Sequence, residues 1–298
     1  MDVLIPRSLE EALAMKADRP DARPIAGGTD LMVELNFDRS RPDAIIDLTR
    51  ASELAELRRQ DGHVFLGAGV TYSRVMRELP EFTALVQASR TVGSPQIRNR
   101  GTVGGNLGTA SPAGDSLPAL AVYDADVVLG RVGGDTRTLA LQEFLLGVKR
   151  TALAEDELIL GVRWRPVSGP GSFSKVGSRN AMVIAVASLC LQLDEDSRTV
   201  RVALGSVAPT VVRAAEAEVF ASESLAEAGV WDDPERPVEP ALLSGFGERV
   251  AAAARPIDDV RGSAVYRRHA CGVLGRRALG WALADRREWF AITGSMEE

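Results

Sequence analysis

Two cysteines, Cys190 and Cys271, and two histidines, His63 and His269, are all that 298 residues contain. A disulfide framework, a structural zinc site and an iron–sulfur cluster each need more thiols, and two histidines do not build a histidine-rich metal centre. No window approaches the apolar run of a membrane span. The start, Met1-Asp2-Val3-Leu4-Ile5-Pro6, lacks the basic region and apolar stretch of a signal peptide. Positive charge is also in short supply: 35 Lys and Arg against 41 Asp and Glu leave a net charge of −6, with no basic block. That balance argues against a nucleic-acid backbone or an anionic membrane as partner. The expectation is a cytoplasmic protein whose chemistry depends on something the chain does not itself supply.

What is present reads as mixed structure. Ser8-Leu9-Glu10-Glu11 fits a capping box ahead of a helix carrying Leu9, Ala12 and Leu13 at helical spacing. Pro24-Ile25-Ala26 predicts a strand, residues 31–35 a helix, and residues 44–48 a buried strand. Gln60-Asp61-Gly62 predicts a hairpin turn. Helices are expected over 73–79 and 81–91, followed by a long irregular stretch from Gly93 to Asp115. Residues 125–129 and 158–164 return to strand. Pro166-Val167-Ser168-Gly169-Pro170-Gly171 is the best linker. Beyond it, alternation at Ala187, Leu189, Leu191 and Leu193, a turn at 195–197, and Val200, Val202 and Leu204 predict an antiparallel pair. Helices are then expected over 213–222, 239–255 and 263–284. The chain is thus divided into 1–170, with subdomains of about 1–53 and 54–170, and 171–298.

Two glycine-rich segments stand out: Ala26-Gly27-Gly28-Thr29-Asp30-Leu31 and Gly101-Thr102-Val103-Gly104-Gly105-Asn106-Leu107-Gly108. Glycine pairs let successive N–H groups point into one concavity, and a missing Cβ lets a phosphate approach the main chain. Neither is a G-x-G-x-x-G, and no G-x-x-x-x-G-K-[ST] occurs, so Rossmann and P-loop readings fail on spacing. Two such nests suit a diphosphate gripped from two sides. A lone diglycine between strand and helix is more often a turn than a ligand site.

Residues 26–31, together with the run from Gly101 through Thr109-Ala110-Ser111-Pro112-Ala113-Gly114-Asp115 and Phe173-Ser174-Lys175-Val176-Gly177-Ser178-Arg179, resemble the FAD-binding subunit of the molybdenum hydroxylase family. That family includes the xanthine dehydrogenases, carbon monoxide dehydrogenases and aldehyde oxidoreductases. The resemblance extends in order and spacing to about residue 280. It implies an α+β fold: a two-part FAD-binding domain of the vanillyl-alcohol-oxidase/PCMH type, then a C-terminal domain of antiparallel sheet plus helices. It implies an oxidoreductase subunit, nearest the xanthine dehydrogenase branch. FAD would take electrons from a small iron–sulfur subunit carrying [2Fe–2S] clusters and pass them to NAD or another acceptor, with the molybdenum cofactor on a third, large subunit. The alternatives are a stand-alone flavin oxidoreductase of the same fold and a non-redox nucleotide-binding assembly subunit.

The resemblance also assigns residues. The amides of Ala26, Gly27, Gly28, Thr29, Asp30 and Leu31 would hold one side of the FAD diphosphate. Thr102, Gly104, Gly105 and Asn106 would hold the other, with Gly104 leaving room for it. Asp115 would accept from ribityl or ribose hydroxyls, or cap the helix beginning at Ser116, or both. Ile159 or Leu160 would line an apolar face of the cofactor, and Lys175 would stand near the isoalloxazine. Outside the resemblance, Cys190 reads as a buried inert thiol, and Cys271 and His269, two apart on a helix, as pointing to different faces. Arg267-Arg268 and Arg276-Arg277 read as a solvated face.

Overall fold

The computed structural model describes residues 1–294. The chain forms two compact units, neither continuous in sequence. One comprises Met1–Leu79, Val92–Ser111 and Asp124–Pro166; the other comprises Pro80–Thr91, Pro112–Tyr123 and the segment from Val167 onward.

The first unit opens as its capping residues direct. Ser8 Oγ accepts from the Glu11 amide at 3.2 Å and starts the helix Leu9–Asp18, while the Glu11 carboxylate reaches back to the Arg7 amide at 2.7 Å. Ala12 and Leu13 are the buried face of that helix. Beside it lies a three-stranded parallel sheet with strand Ala44–Asp47 between Asp2–Leu4 and Arg23–Ile25. The short helix Leu31–Asn36 follows the first glycine segment. A five-stranded antiparallel sheet makes up the rest, in the order Leu57–Gln60, His63–Gly67, Leu158–Trp164, Asp126–Gly130, Thr136–Ala140. Its first hairpin turns through Asp61 and Gly62, both at positive φ (53° and 71°), the geometry that matches strand twist. Strand Leu158–Trp164 carries a bulge at Leu160, between the pairs Ile159–Leu129 and Gly161–Val128.

The expected irregular stretch between Gly93 and Asp115 holds two short helices instead, Pro95–Arg100 and Val103–Thr109. Ser94 Oγ accepts from the Ile97 amide, Pro95 sits at the first turn, and Thr102 Oγ1 accepts from the Gly105 amide at 2.9 Å. Capping and surroundings here outweigh the poor helix propensity of three glycines.

In the second unit a four-stranded antiparallel sheet runs Gly171–Val176, Ala187–Asp194, Thr199–Gly205, Val212–Arg213. Ala187, Leu189, Leu191, Leu193, Val200, Val202 and Leu204 share one core with the helices Ala215–Glu227, Pro240–Ala253 and Ala264–Gly294. Helices Thr83–Thr91 and Ser116–Val122 pack on the same sheet. Ser188 lies beside Pro118 at Gly205, on the face away from that core. Covered on both faces, strand Ala187–Asp194 is buried along all eight residues. Arg267, expected in solvent, is buried, donating to the carbonyls of Val186 (2.9 Å) and Ser206 (2.8 Å) and pairing with Asp259. Its neighbour Arg268 is exposed, as are Arg276 and Arg277. Among the described residues no helix is long and apolar enough to cross a membrane.

Candidate cofactor site

The two glycine segments, some seventy residues apart in sequence, meet in the first unit. A Cβ on Gly27 would stand 2.0 Å from the Arg100 carbonyl oxygen, so only glycine permits this approach. A Cβ on Gly101 would stand 3.5 Å from Thr29 Oγ1. Thr109 Oγ1 donates to Asp30 Oδ2 at 3.2 Å, closing the far end of the contact. The hairpin Leu145–Gly147/Arg150–Thr151 adds a third strut: the Lys149 amide donates to the Ala110 carbonyl (3.0 Å), and Lys149 Nζ pairs with Glu34 Oε1 (2.8 Å). Lys149, with Arg23 behind it, holds the Glu34 carboxyl below the usual carboxylate range.

The two segments differ in what they offer. Among the described residues, the backbone N–H groups of Gly27, Gly28, Thr29, Asp30 and Leu31 donate to no protein acceptor. Gly28, at φ 74°, turns the chain within this run. Successive amides without acceptors in a turn-to-helix segment form an anion nest. In the second segment the amides are already committed: Val103 to the Val70 carbonyl (3.1 Å), Gly104 to that of Ala68 (2.9 Å), Gly105 to Thr102 Oγ1, and Asn106 to the Thr102 carbonyl (3.1 Å). The expected second cradle of amides is therefore not what this segment provides. Nor does Gly104 leave room for a diphosphate: it is buried, and a Cβ there would stand 2.4 Å from the Ala68 side chain. The helix Val103–Thr109 instead bares Gly105 and Gly108 to solvent, a stretch of main chain with little side-chain cover. Ile159 Cδ1 comes within 3.6 Å of where a Cβ on Gly108 would be, whereas Leu160 lies against Gly130. Of the two apolar candidates, Ile159 is the one brought to the glycine helix.

Asp115 and Lys175 belong to the second unit and meet there. Lys175 Nζ donates to Asp115 Oδ2 at 2.6 Å, to the Thr91 carbonyl at 2.9 Å and to the Val183 carbonyl at 3.1 Å. Both side chains are buried, 9% and 7% exposed. An ammonium has three protons, and here each has an acceptor within the unit. The Asp115 side chain makes no capping bond to the helix Ser116–Val122, which leaves the cap reading without support. Burial pushes its carboxyl upward, and the Lys175 charge and Thr91 hydroxyl pull it part of the way back. Its second oxygen, Oδ1, is buried without a hydrogen-bond partner. Thr91 and Val183 escaped the sequence reading because no local pattern marks them; each matters through a partner distant in the chain.

The thiols take no part. Burial pushes Cys190 well above the ordinary thiol range and Cys271 up to about 12, and both are free. Cys271 is buried and His269 exposed, as their spacing predicts.

In the first unit, a nest of open amides where glycine is sterically required and a bare glycine helix beside it fit the phosphates of a dinucleotide. Comparison with known proteins agrees. Residues 1–164 match the family described as FAD binding domain in molybdopterin dehydrogenase. The chain is 39% identical over 191 residues to the nicotinate dehydrogenase FAD-subunit of Eubacterium barkeri, a match covering 61% of this chain and 64% of that protein, just under two thirds of its length. It is 30% identical over 289 residues to the carbon monoxide dehydrogenase medium chain of Hydrogenophaga pseudoflava, covering 94% and 96%. Among solved structures, carbon monoxide dehydrogenase from Hydrogenophaga pseudoflava lacking the Mo-pyranopterin moiety of the molybdenum cofactor aligns with a TM-score of 0.82 at 26% identity, over 95% of this chain and 97% of that one. The chain belongs to the FAD-binding family of the molybdopterin dehydrogenases.

Proposed function

We propose that this chain is the electron-transferring FAD subunit of a multi-subunit molybdenum hydroxylase. Electrons would arrive from a separate iron–sulfur subunit and leave to NAD or another acceptor, while a large subunit holds the molybdenum cofactor. The observation that carries the reading is the apposition of residues 26–31 with residues 100–109, which leaves five consecutive amides open. Bound FAD supplies the ability to take electrons singly and release them in pairs.

The chain's own residues bind and orient. The amides of 27–31 would receive the diphosphate, their N–H dipoles offsetting its charge. Gly105, Gly108 and Ile159 would allow close approach of main chain and an apolar contact. In the second unit, Asp115 Oδ1 would accept from a cofactor hydroxyl. Two relatives named as dehydrogenase subunits support a place in an assembly. Two unpaired buried cysteines support a cytoplasmic, reducing location.

The test is the absorption spectrum of the purified protein and of what purifies with it. A yellow protein with oxidised-flavin bands, bleached by NADH and accompanied by molybdenum and iron, is the expected result. A colourless chain that takes up no FAD would overturn the reading. A yellow chain that turns over a substrate without other subunits would favour a stand-alone flavin enzyme.

A further inference from the structure

The second unit displays an apolar surface that its own core does not use. Val260 is fully exposed, Val265 and Ile257 are 75% and 71% exposed, and Met182, Ile184 and Tyr266 are about half exposed. They come from two loops and the start of helix Ala264–Gly294, and these converge on one point. A Cβ on Gly262 would stand 3.2 Å from Val186 Cγ1 and 3.6 Å from the Tyr266 ring. Buried Arg267 ties the same pieces together, donating to the carbonyls of Val186 (2.9 Å), Ser206 (2.8 Å) and Gly262 (3.4 Å) and pairing with Asp259. Asp259 and Gly262 exchange two backbone hydrogen bonds of 3.2 Å, closing a tight turn with Val260 on it. Inside the turn the Arg261 amide donates to Asp259 Oδ1 at 2.8 Å. A branched apolar side chain is therefore held out into water on a braced turn. Exposed apolar residues scattered singly need no explanation, but six gathered round one buried cation do.

The rim of this surface is basic. Arg179, Arg261 and Arg268 are exposed around it. Arg179 folds back on the Met182 carbonyl, Arg261 shares Asp259 with Arg267, and among the described residues Arg268 meets no carboxylate. The exposed Asp258 is engaged as acceptor of the Ala264 amide at the helix start. A second copy of this chain is a poor occupant, because a two-fold contact would set this basic rim against itself. We propose that this surface, with Val260 as its most prominent residue, is the docking face for the iron–sulfur subunit, a partner that presents an apolar recess with an acidic rim. The inference rests on the reading of this chain as the FAD subunit of a multi-subunit hydroxylase. The sign of the charge fits that partner: a [2Fe–2S] cluster held by four thiolates is net negative, and the electron donor in that reading carries such clusters. The braced turn favours docking in a second way, since little ordering is needed when the partner arrives. The whole surface lies within one unit.

The experiment expresses the tagged full-length chain together with the other subunits of its complex and measures iron and molybdenum per chain after purification. Circular dichroism of each variant is recorded alongside. The variants are Val260→Asp, Val265→Asp and Arg268→Glu, with Val219→Asp, an exposed valine on helix Ala215–Glu227 of the same unit, as control. Val260→Asp and Val265→Asp should stay folded and lose about nine-tenths of the iron, the effect of a charge placed in an apolar contact. Arg268→Glu should release iron at a lower salt concentration than the parent does. Val219→Asp should match the parent. Parental iron in both Val260→Asp and Val265→Asp overturns the proposal. So does loss of molybdenum with iron retained, which would put the large subunit on this face. A change from dimer to monomer in light scattering would put a second copy there and overturn it equally. If Val260→Asp does not fold, Val260→Ser takes its place, and parental iron there counts against the proposal in the same way. A parent chain that purifies without iron or molybdenum would instead overturn the subunit reading itself, a separate and distinguishable failure.

Discussion

A methyl group added at Gly27 would stand 2.0 Å from the Arg100 carbonyl oxygen; one added at Gly104 would stand 2.4 Å from the Ala68 side chain. Both collisions cost stability, about 1–3 kcal/mol each by analogy with overpacked cores, but they differ in consequence. Gly27→Ala pushes the open amides away from the 100–109 segment, so the flavin should be lost and FAD should no longer raise the melting temperature. Gly104→Ala should lower the melting temperature of the apoprotein while leaving the increment given by FAD nearly intact. If Gly104→Ala instead abolished that increment with no change in the apoprotein, Gly104 would be serving the ligand. At this scale the sequence shows which glycines are unusual and conceals why. Arg100 and Ala68, the groups that need the space, come from other parts of the chain, and a diglycine looks the same whichever neighbour it accommodates.

Elements were legible where a local signal sufficed. The helix Leu9–Asp18 follows from its cap, and the hairpin through Asp61 and Gly62 from its turn residues. The helices Pro95–Arg100 and Val103–Thr109 were not, because caps supplied by Ser94 and Thr102 act against a glycine content that locally favours coil. Side-chain ties between elements are invisible in the same way. Glu157, buried just ahead of strand Leu158–Trp164, accepts from Arg137 at 2.7 and 2.8 Å, from Arg131 at 3.0 Å and from the Ala154 amide at 2.9 Å. Arg137 chiefly, helped by the Ala154 amide and Arg131, lowers its carboxyl to about 2. A depressed folded-state value means the stabilisation is complete above the unfolded value, about 4.5, and is lost as pH falls toward 2. Denaturant midpoints measured between pH 5 and 2 should therefore fall less steeply in Glu157→Gln than in the parent. Parallel curves would show that the cluster contributes no acid-sensitive stability.

At the scale of the molecule, the long helix Ala264–Gly294 is tied down near its start by Arg267 and further along by Arg286. Arg286, 1% exposed, makes two bonds to Glu195 (2.7 and 2.9 Å) and one each to the carbonyls of Val230 (2.7 Å) and Trp231 (3.0 Å). It joins the helix to the turn of the central hairpin and to the chain after helix Ala215–Glu227. Arg286→Met strands a buried carboxylate and should cost about 3–5 kcal/mol, most of it recovered when Glu195 is changed to leucine as well. Urea unfolding of the single and double variants reads this directly; a single variant as stable as the parent would rule the lock out. The antiparallel pair and the helices after it were readable from alternation and helical spacing, and the fold class from the family resemblance. The composition of the units was not, since nothing in residues 80–91 or 112–123 announces that their helices pack on a sheet formed after residue 170.

That discontinuity bears on synthesis. The helices Thr83–Thr91 and Ser116–Val122 leave the ribosome before any strand of the sheet they cover, and Ser116–Val122 is buried along its whole length in the finished protein. At ordinary elongation speeds the missing strands follow on the order of ten seconds later. Through that interval the buried face of one helix and the whole of the other have no native surface to occupy. A gene cut near codon 170 would fix the polypeptide permanently in that exposed condition.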